Sequence, residues 1–118
     1  MAESSSPKPF RCTLEDAGEQ TARVLPAGEL DMATAEELEA CLKEARDTGF
    51  RRLIVDLRGL DFMDSSGLTL LTRWTLGAHR GGYEFAVIPG DERITRLFEL
   101  TGLKPHFTFV DGSLEPER

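Results

Sequence analysis

The sequence holds little that could carry metal or redox chemistry. It has two histidines and two cysteines, and Cys12 and Cys41 show neither the close spacing of a metal knuckle nor the density of a secreted disulfide scaffold. They read as free structural thiols in a reducing compartment, so no metal and no cofactor is expected. Positive charge is also scarce. Fourteen Lys and Arg against twenty-one Asp and Glu give a net charge of -7, which argues against nucleic-acid phosphate as a main partner. No apolar run approaches the roughly 18 residues that span a bilayer, and the start "MAESSSPKPF" lacks the basic and apolar regions of a signal peptide. A cytoplasmic protein without membrane contact is expected. Neither G-x-x-x-x-G-K-[ST] nor G-x-G-x-x-G after a strand occurs, which removes the usual phosphate-binding loops.

What is present, 118 residues at 40% hydrophobic, is about the amount that builds one domain around one core. The domain is expected over residues 10–112, with 1–9 and 113–118 as flexible tails, because the Ser/Pro-rich start and the "DGSLEPER" end have almost nothing to bury. "FRCTL" and "TARVLPA" read as two strands of an antiparallel hairpin joined by the polar "EDAGEQ". Between Ala35 and Arg46, Leu38, Cys41, Leu42 and Ala45 repeat at helical spacing. Thr34 and Glu37 form a capping-box spacing at that helix's start, and Gly49 ends it. "LIVDL" (Leu53 to Leu57) is nearly all apolar, as a central strand of a parallel sheet should be.

A second helix is predicted over Ser66 to His79, with Leu70, Leu71, Trp74 and Ala78 on its buried stripe. "EFAVI" is the next strand, Asp91 caps a third helix carrying Ile94, Leu97 and Phe98, and "FTFV" (Phe107 to Val110) is the last strand. The order implies right-handed parallel crossovers. The expected fold is α/β: a mixed five-stranded sheet with an N-terminal antiparallel hairpin, parallel core strands and three or four packed helices.

This arrangement places "DSSG" (Asp64 to Gly67) beyond the carboxyl end of the central strand and at the start of the next helix, where open α/β sheets tend to hold their sites. Capping by Ser65 or Ser66, with Asp64 complementing the helix dipole, uses only one of the two hydroxyls. Hydrolysis is disfavoured: the first glycine of a G-x-S-x-G elbow is missing, and His79 and His106 are poorly placed to serve as a base. A two-component receiver shares the topology, and Lys104-Pro105 is reminiscent of one. Yet neither early strand ends in the acidic pair that would hold magnesium, and Lys104 precedes the final strand.

The blocks "PAGELDMATAEEL", "IVDLRGLDFMDSSGLTLL" and "ITRLFELTGL" together resemble the STAS domain, specifically the bacterial anti-anti-sigma factors, over nearly all of Phe10 to Val110. The resemblance implies a non-catalytic switch. The unphosphorylated form would bind an anti-sigma factor that is also a serine kinase, of the histidine-kinase-like ATPase fold, and free the sigma factor. Phosphorylation at Ser65, the first serine of the motif, would end binding, and a serine phosphatase would restore it. The family's other uses are an adaptor or scaffold in a stress-signalling complex and a subunit of a lipid-transport complex; a transporter tail is disfavoured by the lack of a membrane segment.

The partner-binding set expected from this resemblance is Asp31, Asp64, Ser65, Ser66, Gly67 and Leu68. Asp31 can serve as a turn acceptor, a partner contact, or both. Gly67 permits close helix packing or forms part of the docking surface. Leu68 falls off the stripe of Leu71 and Trp74 and is expected as an exposed apolar contact, whereas Trp74 belongs to the core. Phosphate on Ser65 would add about 1.5 to 2 negative charges, which the free amides of the following helix could hold.

Overall fold

The computed structural model describes residues 9–112. The tails expected at 1–9 and 113–118 lie outside these residues, apart from Pro9. Chain entry is a hairpin of β1 (Arg11–Gly18) and β2 (Thr21–Leu30), antiparallel from Arg11 opposite Ala27 to Gly18 opposite Thr21. Most of the "EDAGEQ" connection is therefore strand. The reversal needs only Glu19 and Gln20, both at positive φ (53° and 60°), the handedness that a two-residue hairpin turn requires.

After β2, α1 (Ala35–Thr48) crosses to β3 (Arg52–Asp56), which lies parallel to β2. Gly49 ends α1 at φ 112°, as its position predicts. The capping box does not form: the Thr34 side chain caps nothing in the helix and turns back onto the preceding loop. "LIVDL" is the central strand, but it stops one residue early. The Asp56 carboxylate accepts from the Arg58 N–H and pulls Leu57–Gly59 into a 3-10 turn.

The chain then resumes as β4 (Leu60–Met63), parallel to the far end of β2, with Gly28 opposite Leu60 and Leu30 opposite Met63. The register shifts at Gly28, which adopts φ 104° and would bring an added Cβ to 3.3 Å from the Phe10 Cα. "DSSG" thus follows β4 and not the central strand.

From Met63 the chain enters α2 (Ser65–Gly81), then β5 (Glu84–Ile88), parallel to β3, then α3 (Glu92–Leu100). The Asp91 carboxylate caps α3 by accepting from the Ile94 N–H at 3.1 Å. The sheet runs β1-β2-β3-β5 with β4 paired to β2, so the mixed five-stranded sheet stands as predicted while one strand changes identity. "FTFV" is not a fifth strand. It makes an isolated parallel bridge, Phe109 opposite Val87, because the 3-10 turn Lys104–His106 shortens the approach. Phe107 and Phe109 instead meet Phe98 edge-on at 4.9 and 5.3 Å between ring centres.

One sheet face holds the main core. Ala22, Val24, Leu53, Val55, Phe85 and Val87 meet Leu38 and Leu42 of α1, Leu70, Leu71 and Trp74 of α2, and Ile94 and Phe98 of α3. Alternation sends Ile54, Ala86 and Ile88 to the other face, where they form a smaller cluster with Val110. Each fully buried Leu or Val contributes about 1.5 to 3 kcal/mol relative to exposure. The two ends of β2 and β4 are therefore fixed from below by packing.

Candidate docking site at the β2 and β4 ends

The site is set by one parallel pairing. Leu30 lies opposite Met63, and the Asp64 N–H continues the ladder by donating to the Leu30 carbonyl at 3.1 Å. Asp31 and Asp64 therefore leave the sheet side by side, about 5 Å apart at the backbone by ordinary strand spacing. The first turn of α2 rises directly from Asp64.

Asp64, not a serine, caps α2. Its carboxylate accepts from the Ser66 N–H at 2.8 Å, and its carbonyl accepts from Gly67 at 3.1 Å and Leu68 at 3.3 Å. An acidic N-cap satisfies an orphan amide and complements the helix dipole at the same time. Two expectations change as a result. Neither Ser65 nor Ser66 is the cap, and the amides expected to hold a phosphate on Ser65 are largely bonded to Asp64 already. Ser65 is exposed and Ser66 half-buried.

Asp31 closes the neighbouring turn. Its Oδ1 accepts from the Ala33 N–H at 3.0 Å and the Thr34 N–H at 3.1 Å. Thr34 Oγ1 donates to the Glu29 carbonyl at 2.8 Å and accepts from the Asp31 N–H at 2.9 Å. The turn is held from within, and this accounts for Asp31 without a partner. The loop lifts Met32, 78% exposed, to its tip.

Gly67 and Leu68 are both buried, Leu68 to 3% exposure. The helix stripe is wider than Leu71 and Trp74 because the first turn of α2 sits over the β2 and β4 ends, so Leu68 joins the core and presents no exposed apolar contact. Gly67 is held by packing: an added Cβ would lie 2.7 Å from both the Leu30 Cδ2 and the Met63 Cγ. The surface of the site comprises Met32, Asp31, Asp64, Ser65 and, on β4, Phe62, which is 46% exposed opposite Glu29. Met32 and Phe62 were missed as site residues. Their signal is present in the sequence: an apolar side chain in a polar turn, and an aromatic between Asp61 and Asp64 on a four-residue strand.

Among the described residues no helix is long and apolar enough to cross a membrane, and no group of three or more His, Cys, Asp and Glu could hold a metal ion. Asp31, Met32, Phe62, Asp64 and Ser65, exposed or half-buried, lie at the ends of β2 and β4 and in the segments that follow them. The fold and this surface define a small α/β domain whose candidate site is an exposed strand-end surface.

Residues 19–115 match the STAS domain model. An anti-sigma-B factor antagonist of Staphylococcus aureus is 40% identical over 86 residues, covering 73% of this chain and 80% of that one. The crystal structure of an anti-sigma factor antagonist from Mycobacterium paratuberculosis is similar with TM-score 0.74 and 26% identity, over 92% of this chain and 91% of that one. The phosphorylated form of the Bacillus cell fate determinant SpoIIAA aligns with TM-score 0.60 and 25% identity, over 86% and 93%. The chain belongs to the STAS domain family.

Proposed function

We propose that this protein is an anti-sigma factor antagonist, a cytoplasmic switch without catalytic activity of its own, and that Ser65 is its phosphorylated residue. The unphosphorylated rim of Asp31, Met32, Phe62, Asp64 and Ser65 docks an anti-sigma factor serine kinase of the histidine-kinase-like ATPase fold and frees the sigma factor. A serine phosphatase resets it. Ser66, half-buried beside Ser65, contacts the edge of the partner, and Gly67 and Leu68 act beneath the surface by fixing the first turn of α2.

The observation that carries this reading is the exposed Ser65 at the start of α2, directly after the Asp64 carboxylate that caps the helix in its place. A phosphate there brings about two more negative charges to an already acidic rim. Two unit charges about 4 Å apart repel by roughly 1 kcal/mol in water and roughly 4 at a surface-like dielectric of 20. With the nearby amides occupied, the phosphate projects toward whatever is docked, and the domain itself need not refold.

The test is phosphopeptide mapping after incubation with the cognate kinase and ATP. Phosphate on Ser65, lost in Ser65→Ala, is expected; phosphate confined to Ser66, or continued labelling of Ser65→Ala, would contradict the assignment. The purified protein alone should hydrolyse neither esters nor nucleotides.

A further inference from the structure

Positive charge is scarce in this chain, yet four of its fourteen Lys and Arg residues gather along one groove between α1 and α2. Lys43 and Arg46 line it from α1, and Arg73 and Arg80 from α2, all four exposed, around a volume of about 350 Å³. Helical spacing puts them there: Glu39, Lys43 and Arg46 follow at i, i+4, i+7, and Arg73, Leu76, Gly77 and Arg80 at i, i+3, i+4, i+7. Glu39 is the carboxylate of the groove, and it is already occupied. It accepts from Arg73 at 3.1 Å and from the Trp74 indole N–H at 3.1 Å. Arg46 lies 5.2 Å from the centre of the Trp74 ring and bonds Asp47 at 3.1 Å. Lys43 and Arg80 form no ion pair among the described residues.

The floor is aromatic and low. Trp74 and Tyr83 pack with ring centres 6.1 Å apart, and Leu76 stands at the lip, 52% exposed. Gly77 lies inside a 17-residue helix, where glycine costs stability relative to alanine, and packing does not demand it. An added Cβ there would meet only the Tyr83 Oη, at an ordinary contact distance of 3.6 Å. Gly81, one turn on, differs, since its Cβ would stand 2.5 Å from the Tyr83 ring. Gly77 keeps the space between the two rows of cations open.

We propose that this groove is a second docking site, which takes an acidic segment of a partner protein with an aliphatic side chain among its carboxylates. The carboxylates meet the cations of both walls, and the aliphatic group covers Leu76. Arg73 and Arg80 are about 10 Å apart along the helix axis, the reach of about three residues of extended chain. A net charge of -7 opposes a long polyanion such as nucleic acid, whereas a short segment senses chiefly the cations within a screening length of about 8 to 10 Å. A flat anionic membrane does not enter a concave groove. Arg73 and Arg80 follow Ser65 by about 12 and 22 Å along α2, so the groove is separate from the rim and the inference does not depend on Ser65.

The experiment titrates the full chain with the peptide acetyl-EELDELEE-amide and follows the fluorescence of Trp74, the only tryptophan. A saturable change is expected, with an affinity that falls severalfold as salt is raised. Lys43→Glu and Arg80→Glu should each weaken binding about tenfold or more. Gly77→Leu, which fills the floor, should abolish binding at an unchanged or raised melting temperature, while Ser65→Asp keeps the affinity of the wild type. No saturable response, undiminished binding in the Lys43→Glu/Arg80→Glu double variant, or undiminished binding in folded Gly77→Leu would overturn the site. Tighter binding of oligothymidylate or of phosphatidylserine vesicles than of the peptide would overturn its assignment to an acidic protein segment. Equal affinity for acetyl-EEGDEGEE-amide would overturn the part given to the aliphatic side chain.

Discussion

The carboxylate of Asp64 accepts a hydrogen bond from the Ser66 N–H at 2.8 Å, and this bond decides how both serines are used. With Asp64 as cap, neither hydroxyl is needed to start α2. Asp64→Ala is expected to lower stability by about 1 kcal/mol, the usual worth of an N-cap, whereas Ser65→Ala and Ser66→Ala should stay within about 0.5 kcal/mol of wild type. Urea unfolding measures this, and a larger loss in Ser66→Ala than in Asp64→Ala would return the cap to the serine.

Gly67→Ala should destabilise the protein, although the same change in an open helix gains about 1 kcal/mol. The added methyl would stand 2.7 Å from Leu30 and Met63, the residues that pair β2 with β4. Overpacking of this kind costs about 1 to 3 kcal/mol. Thermal melting of Gly67→Ala checks the sign, and an unchanged or higher midpoint would show that the first turn of α2 is loosely packed.

Met32→Ala and Phe62→Ala should weaken partner binding with little change in melting temperature, since both side chains are exposed in the free protein. A loss of more than about 1 kcal/mol in binding is expected for at least one of them if they anchor the contact. Calorimetric titration with the anti-sigma factor measures it. Full affinity in the double variant would move the interface elsewhere.

Asp56 gives the stability a defined acid limb. Its side chain is 5% exposed and sits 2.7 Å from Arg58. Burial alone would push its carboxyl up, but the hydrogen bonds and charge of Arg58 hold it below the usual value. A lowered folded value means that this stabilisation is complete above the unfolded carboxyl's value of about 3.9 and is lost as pH falls through the lower folded value. Asp56→Asn should therefore cost about 1 to 2 kcal/mol at pH 7, modest because Arg58 is half-exposed, and much less near pH 3. Urea unfolding at both values tests it; a difference that grows in acid would reverse the sign.

Local patterns in the sequence carried much of this fold. Helical spacing located all three helices, "EFAVI" coincides with β5, and Gly49 and Asp91 mark helix ends as predicted. The misses are tertiary. "LDFM" is too short to show period two, and it becomes a strand only because the far end of β2 offers it a ladder. "FTFV" has strand composition, yet its rings are committed to Phe98. At the site, the resemblance pointed to the motif, but a list of consecutive residues could not separate Ser65, which is exposed, from Leu68, which is buried.

The proposed switch is tested most directly by calorimetric binding of the anti-sigma factor to wild type, Ser65→Ala, Ser65→Asp and the Ser65-phosphorylated protein, with melting curves for each. Repulsion at the rim predicts wild-type affinity for Ser65→Ala, weaker binding for Ser65→Asp with its single charge, the weakest for the phosphoprotein, and near-equal melting temperatures. Equal affinity for Ser65→Ala and the phosphoprotein would show that Ser65 is not the switch.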